Sequence, residues 1–256
     1  MSDAIERVAG WIRETDAVTV LTGAGISTDS GIPDFRGPSG IWTKDPGAQR
    51  MVDIQVYASD PEVRRRAWQR RRAHEAWTAQ PNAGHRALAE LERAGKLRAV
   101  VTQNIDRLHQ KAGNAPETVI ELHGSMQHTV CLACRDRRPM AEALARVEAG
   151  EADPPCLACG GVLKSGTIFF GEALDQDVLL AAQQAAAQCR VFLVVGTSLT
   201  VAPASRLPKI AAAAGARVAI LNAEPTPYDR AADAVIRLPI GEALPRLANL
   251  AGMMPE

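Results

Sequence analysis

The sequence predicts an α/β fold: an open, doubly wound parallel sheet with a smaller lobe inserted into it. Three observations carry this. Short, near-continuous apolar runs recur at 17–21, 99–102, 119–122, 191–195, 218–221 and 234–238, the pattern of parallel strands covered on both faces. Segments of helical periodicity alternate with them, which places helices on the two faces of one sheet. Two stretches, 41–80 and 126–165, interrupt the alternation. The larger lobe is therefore expected to comprise 1–40, 81–125 and 166–256, with 41–80 a helical insert and 126–165 a cysteine-bearing insert.

Taken in order, Ile5, Val8 and Ile12 recur at helical spacing beside Trp11 and open the chain with an amphipathic helix. The run Ala17–Leu21 then ends in Thr22-Gly23-Ala24-Gly25. Glycines at a strand exit leave little side-chain bulk, as a backbone needs when its N–H groups must lie close to a pyrophosphate. The usual dinucleotide fingerprint would place a third glycine where Thr28 stands, which weakens a hydride-transfer reading. Glu62 to His74 is an Arg-rich helical stretch, with Arg64, Arg65, Arg66, Arg70, Arg71 and Arg72 read as a solvated basic face. Ala83–Arg93 is a helix ended by Gly95, and Gln176–Gln188 is another. Gln103, His123, Gly196 and Asn222 each follow an apolar run, as Gly23 does. In doubly wound sheets ligands bind outside the carboxyl ends of the strands, so these motifs point to one site.

Composition bounds the rest. The 256 residues are 46% hydrophobic, enough for a sizeable core, and 29 basic side chains balance 29 acidic ones. No overall field draws the chain to nucleic acid or anionic lipid. No apolar stretch approaches the roughly 20 residues that span a bilayer, and the N-terminus lacks a signal-like apolar region. Cytoplasmic residence is expected; oligomeric state is open.

Of five cysteines, Cys131-Leu-Ala-Cys134 and Cys156-Leu-Ala-Cys159 form two knuckles with 21 residues between them. Four thiolates in this arrangement suit one tetrahedral, structural Zn²⁺, with Gly160-Gly161 supplying the turn beyond the second pair. Cys189 stands alone and reads as a buried, inert thiol.

The run Gly31-Ile32-Pro33-Asp34-Phe35-Arg36 resembles the cofactor loop of the sirtuins, the NAD-dependent protein deacylases. Gln103-Asn104-Ile105-Asp106, Leu122-His123-Gly124, the cysteine pairs, Gly196-Thr197-Ser198-Leu199 and Asn222-Ala223-Glu224 are similar to sirtuin motifs and occur in the sirtuin order. The resemblance implies that Gly23, Ala24, Gly25 and Ser27 approach the phosphates of NAD, and that Asp34, Phe35 and Arg36 cover its nicotinamide ribose. Asn104, Ile105 and Asp106 would form the nicotinamide pocket, with Gln103 also among the cofactor-binding residues and Asn104 also catalytic. Gly196, Thr197 and Ser198 would bind phosphate and adenosine ribose, with Asn222, Ala223, Glu224 and Ile240 on the adenosine side. His123 matches the general base; an imidazole titrating near neutrality suits removal of a ribose proton. His74, His85, His109 and His128 match no such role and read as structural or exposed.

Ile168-Phe169-Phe170-Gly171-Glu172 resembles the segment that pairs with substrate as a β-strand, Phe170 lining an acyl-lysine tunnel, with Gly171, Glu172 and Val201 at the peptide. Trp68 and Arg71 fall where desuccinylating sirtuins carry a Tyr-x-x-Arg pair. Because an indole cannot replace a phenol oxygen, acetyl or another neutral acyl group is expected. The implied reaction is deacylation of lysine-bearing proteins, releasing nicotinamide and O-acyl-ADP-ribose. Mono-ADP-ribosyl transfer, longer-chain deacylation such as lipoamide removal, and a noncatalytic NAD-binding module are the alternatives.

Overall fold

A computed structural model describes residues 2–35, 37 and 40–253. The chain divides into two compact units: Met1–Asp34, Ala79–Leu122 and Asp175–Glu256 make the larger, Phe35–Thr78 and His123–Leu174 the smaller. His123 and Phe170, assigned to the larger lobe on sequence, thus belong to the smaller unit.

The larger unit is built on six parallel strands: β1 (Val18–Thr22), β2 (Leu97–Thr102), β3 (Val119–Glu121), β7 (Val191–Val195), β8 (Arg217–Leu221) and β9 (Ala234–Ile236). Their order is β3-β2-β1-β7-β8-β9, so the winding reverses between β1 and β7. Thr22 lies level with Thr102 on one side and Val195 on the other, which brings the loops leaving these strands together at the carboxyl edge.

Side chains alternate between the two faces, as the strand period of two requires. Val20, Val100, Leu193 and Leu221 face one core, formed with α1 (Ser2–Arg13), α5 (Ala83–Arg93) and α10 (Ile240–Leu250). Leu21, Val101, Val194 and Ile220 face the other, under α8 (Gln176–Ala187) and α9 (Leu207–Ala213). The short helix α6 (Leu108–Ala112) follows the Gln103–Asp106 loop. Asn82 caps α5, its Oδ1 accepting from the N–H groups of Gly84 and His85. The helix α10 was not anticipated: Gly241 and Pro245 spoil its propensity, yet it buries Ala243, Leu244, Leu247 and Ala248.

The smaller unit combines helices α2 (Ile41–Lys44), α3 (Ile54–Ser59), α4 (Pro61–Arg72) and α7 (Met140–Glu148) with an antiparallel sheet of β4 (Gly124–Cys131), β5 (Arg137–Pro139) and β6 (Leu163–Thr167), ordered β5-β4-β6. Tyr57, Val63, Ala67 and Phe169 share one small core. Among the described residues, no helix is long and apolar enough to cross a membrane.

Candidate functional site

In the larger unit the glycine loop leaves β1 and turns at once into a short 3₁₀ helix, Ala24–Ser30. The N–H groups of Gly23 and Gly25 are not directed to a ligand: they donate to Val195 O (3.0 Å) and Gly196 O (2.9 Å). This corrects the sequence-based reason for the glycines. A Cβ on Gly23 would stand 2.6 Å from the Thr197 Cβ, and one on Gly25 2.8 Å from the Gly196 Cα. Glycine is required here because two loops from β1 and β7 pack backbone against backbone. The Ala24 N–H, at the first position of the 3₁₀ turn, has no partner among the described residues and remains available to an anion.

A hydrogen-bonded circuit fixes the Gln103–Asp106 loop against that turn. Asn104 Nδ2 donates to Gly23 O and Ser27 Oγ, both at 3.1 Å, and Ser27 Oγ donates to Asp106 Oδ2 at 2.7 Å. Asp106 Oδ1 accepts from the Leu108 N–H and so starts α6. Ile105 is half-buried between them. Gln103 Nε2 donates to Thr197 Oγ1 at 2.9 Å, joining this loop to the one after β7. Ser198 Oγ pairs with Thr200 Oγ1, and Val201 is half-buried just beyond.

Asn222 Nδ2 closes its own loop on Glu224 O at 2.7 Å, leaving Ala223 and the Glu224 side chain exposed. Arg237, which no motif flagged, holds this loop by donating to Asn222 O (2.6 Å) and Glu224 O (3.0 Å) while pairing with Asp229. Ile240, at the start of α10, packs on the sheet core, and Asp34 is half-buried. Arg36 lies outside the described residues. The remaining predicted groups of this unit gather at the carboxyl edge, where the loops of β1, β2 and β7 interlock.

In the smaller unit His123 precedes Gly124 at the entry to β4, and its carbonyl accepts from the Ile168 N–H at 2.8 Å. Gly124 has φ +68°, and a Cβ there would lie 2.2 Å from Gly166 O. Gly124→Ala is expected to cost at least about 1–3 kcal/mol from backbone strain alone and to displace His123. Thermal melting beside an activity assay checks this, and an unchanged melting temperature would refute it.

Phe35 and Phe170 are the exposed members of an aromatic group. Phe35 sits 4.9 Å from Trp42, and Trp42 5.5 Å from Phe170, between ring centroids. The backbone of Phe170 is already used, its N–H donating to Val52 O and its C=O accepting from the Ile54 N–H. That corrects the expectation that all of 168–172 can pair with a substrate strand; Gly171 retains backbone groups without partners among the described residues. Glu172 is likewise not free for a peptide: its Oε2 accepts from the Phe169 N–H (2.8 Å) and pairs with the buried Lys164 Nζ (3.0 Å). Desolvation lowers the Lys164 pKa, and Glu172 opposes that shift.

Trp68 requires a further correction. Its indole is fully buried among Cys131, Met140, Ala143, Val147, Cys156 and Leu163, so it belongs to the interior of the cysteine lobe rather than to an acyl pocket. Arg71 is half-buried and lies 4.7 Å above that ring.

The four cysteine sulfurs lie within 4.8 Å of one another, with Cys131–Cys159 at 3.5 Å and Cys134–Cys156 at 3.7 Å. Tetrahedral Zn–S bonds of about 2.3 Å require sulfurs about 3.8 Å apart, so the set fits zinc. Four protein ligands leave no open position, and the metal supplies structure. A Cβ on Gly161 would press to 3.1 Å from Cys131 Sγ and 3.2 Å from Cys159 Sγ, which explains the second glycine of the turn.

A family model described as the Sir2 family matches residues 23–203. The chain belongs to the Sir2 family. It is 56% identical over 230 residues to NAD-dependent protein deacetylase 2 of Streptomyces coelicolor, covering 90% of this chain and 95% of that protein. NAD-dependent protein deacetylase 1 of Pyrobaculum aerophilum is 44% identical, covering 99% and 97%. A solved Sir2 structure carrying a p53 peptide and NAD superposes with a TM-score of 0.85 at 35% identity, covering 96% and 97% of the two chains. In this Sir2 chain the parallel sheet belongs to the larger unit and the four-cysteine cluster to the smaller.

Two histidines of this Sir2 chain lie inside the larger unit. Burial lowers the pKa of His85 to about 4 and that of His109 well below its ordinary value. Their folded pKa values lie below the unfolded one, near 6.5, so the unfolded chain takes up protons first as pH falls. The stability they contribute is complete above about pH 6.5 and is lost progressively as pH drops below it, toward about 4 for His85, at about 1.4 kcal/mol per pH unit for each histidine that the fold keeps neutral. Melting temperatures at about pH 7.5 and pH 5 test this; a flat profile would show that neither histidine is held neutral in the fold.

Proposed function

We propose that this Sir2 protein removes acyl groups from lysine side chains of proteins, consuming NAD and one water molecule and releasing nicotinamide, free lysine and O-acyl-ADP-ribose. The observation that carries this reading is the interlocked set of loops after β1, β2 and β7, in which Ser27, Asn104 and Asp106 are fixed by mutual hydrogen bonds. Such a preformed site binds NAD at little ordering cost. In the reaction the acyl oxygen attacks the ribose C1′ carbon as nicotinamide leaves; His123 then removes a proton from a ribose hydroxyl, whose oxygen attacks the acyl carbon, and water completes the release of the lysine amine. Positioning and stabilisation of positive charge on the ribose are the protein's main contributions. Incubation with NAD and a panel of acyl-lysine peptides tests the reading, and absence of NAD-dependent lysine release from every peptide would overturn it.

Acetyl-lysine is proposed as the preferred substrate. Since Trp68 faces the cysteine lobe core, Trp68→Tyr is expected to leave the acetyl-to-succinyl ratio of kcat/KM unchanged while lowering the melting temperature. A ratio shifted toward succinyl-lysine would return Trp68 to the acyl pocket.

A further inference from the structure

Beneath the Asn104 loop, inside the larger unit, runs a line of buried polar groups with no part in the chemistry described above. Thr22 and Thr102, the last residues of β1 and β2, join through their hydroxyls at 2.8 Å. Thr102 Oγ1 also accepts the Asn104 backbone N–H at 3.1 Å. On the other side, Thr22 Oγ1 lies 3.0 Å from His109 Nε2. The His109 ring is 5.0 Å from that of His85, centroid to centroid, and His85 Nδ1 is 3.4 Å from the Asn82 N–H. Asn82 in turn donates through Nδ2 to Ile26 O (2.7 Å) and Ser30 Oγ (3.0 Å), in the 3₁₀ turn of the glycine loop.

Two atoms of this line are buried without a partner: His85 Nε2 and His109 Nδ1. Orphaned buried nitrogens are costly, and these belong to adjacent rings. The donors along the line settle which of the two carries a proton. His85 accepts at Nδ1 from a backbone N–H, so its single proton is on Nε2. Thr22 has one hydroxyl proton and gives it to Thr102, so His109 must donate to Thr22 from Nε2, which leaves His109 Nδ1 an acceptor. The donor His85 Nε2–H and the acceptor His109 Nδ1 are the two orphans: complementary groups on adjacent rings that stop short of hydrogen-bond geometry in this structure, so the bond between them is the inferred link of the line.

We propose that His109 is a positioning residue for Asn104: with His85 it completes a hydrogen-bond relay, Asn82–His85–His109–Thr22–Thr102–Asn104, that locks the nicotinamide-side loop and the glycine loop into one rigid frame. Both ends of the relay grip the glycine turn, because Asn104 itself reaches Gly23 and Ser27. The relay needs both imidazoles neutral, which their full burial enforces. This inference rests on the reading that Asn104 belongs to the NAD site.

Two experiments test it. Imidazole ¹⁵N–¹H correlation spectra of the labelled wild type are expected to show His85 and His109 both as Nε2–H tautomers, neither titrating near pH 6.5. An Nδ1–H form of either ring, or an ordinary titration, would overturn the relay. Thr22→Val cuts the line without changing volume, and His109→Leu removes its centre. Each is expected to weaken NAD binding by roughly ten- to a hundred-fold, with a rise in KM for NAD that exceeds the fall in kcat. His109→Gln keeps one donor and one acceptor and should restore most of the affinity. Folded variants with wild-type NAD affinity, or a glutamine variant no better than leucine, would overturn the positioning role. A wild type that binds no NAD would instead defeat the NAD reading, while the spectra would still report on the relay.

Discussion

His123→Ala is expected to lower deacylation by roughly 10²–10⁴-fold, the range that a positioned general base contributes, with NAD affinity kept within several-fold. The backbone of His123 is held by the Ile168 N–H, and Gly124 forces a left-handed turn immediately after it. Its imidazole is therefore delivered from a fixed main chain. Removing the ring eliminates the group to which the proposed mechanism assigns the ribose hydroxyl proton and leaves untouched the loops of Gly23, Asn104 and Gly196. Calorimetric titration with NAD beside a product assay separates the two effects. Nicotinamide release precedes the step assigned to His123, so base exchange with labelled nicotinamide should persist in the variant. Deacylation at the wild-type rate would remove His123 from the mechanism.

The second large effect is expected from Cys131→Ser. Cys131 and Cys156 are buried, and they pack with Trp68, Met140 and Leu163 in one small core. Losing a ligand should release close to one zinc per chain and destabilise the smaller unit by about 5 kcal/mol. That is less than the ~10–16 kcal/mol measured for isolated zinc-finger peptides, because α4 and α7 still bury Trp68 and Met140. Metal analysis and thermal melting decide the matter. A metal-free protein that melts like the wild type and remains active would show the ion to be dispensable.

The parallel sheet was legible because its strands are apolar on both faces; Val191–Val195 and Val218–Leu221 can hardly be anything else. The loops were legible because ligand-edge motifs combine glycine with side chains unusual at strand ends, such as Gln103-Asn104. The smaller sheet was not. Its strands include Arg137-Arg138-Pro139 and Lys164-Ser165-Gly166, whose polar groups hide any period of two, and the second of these pairs with β4 more than 30 residues earlier in the chain. The same limit misassigned Glu172: nothing local to Phe-Phe-Gly-Glu reveals the buried ammonium of Lys164 on the strand before it. The glycines at 23 and 25 were correctly singled out for the wrong contact, since loop packing against Gly196 leaves the same trace in a sequence as proximity to a phosphate. His85 and His109 gave no signal, because the chain Asn82 to Thr102 that employs them is assembled only by the fold.

The placement of β1 between β2 and β7 has a consequence for how the protein is made. One edge of β1 is covered once β2 emerges, but the other waits for residues 191–195, nearly three-quarters of the way along the chain. Until then a growing polypeptide presents an apolar strand edge, Val18–Thr22, open to pairing with any neighbouring strand. The carbonyls of Val195 and Gly196 that restrain Gly23 and Gly25 arrive at the same moment. Synthesis that halts before β7 thus yields a chain with a sticky edge and an unformed glycine loop, and non-local closure of this kind slows folding.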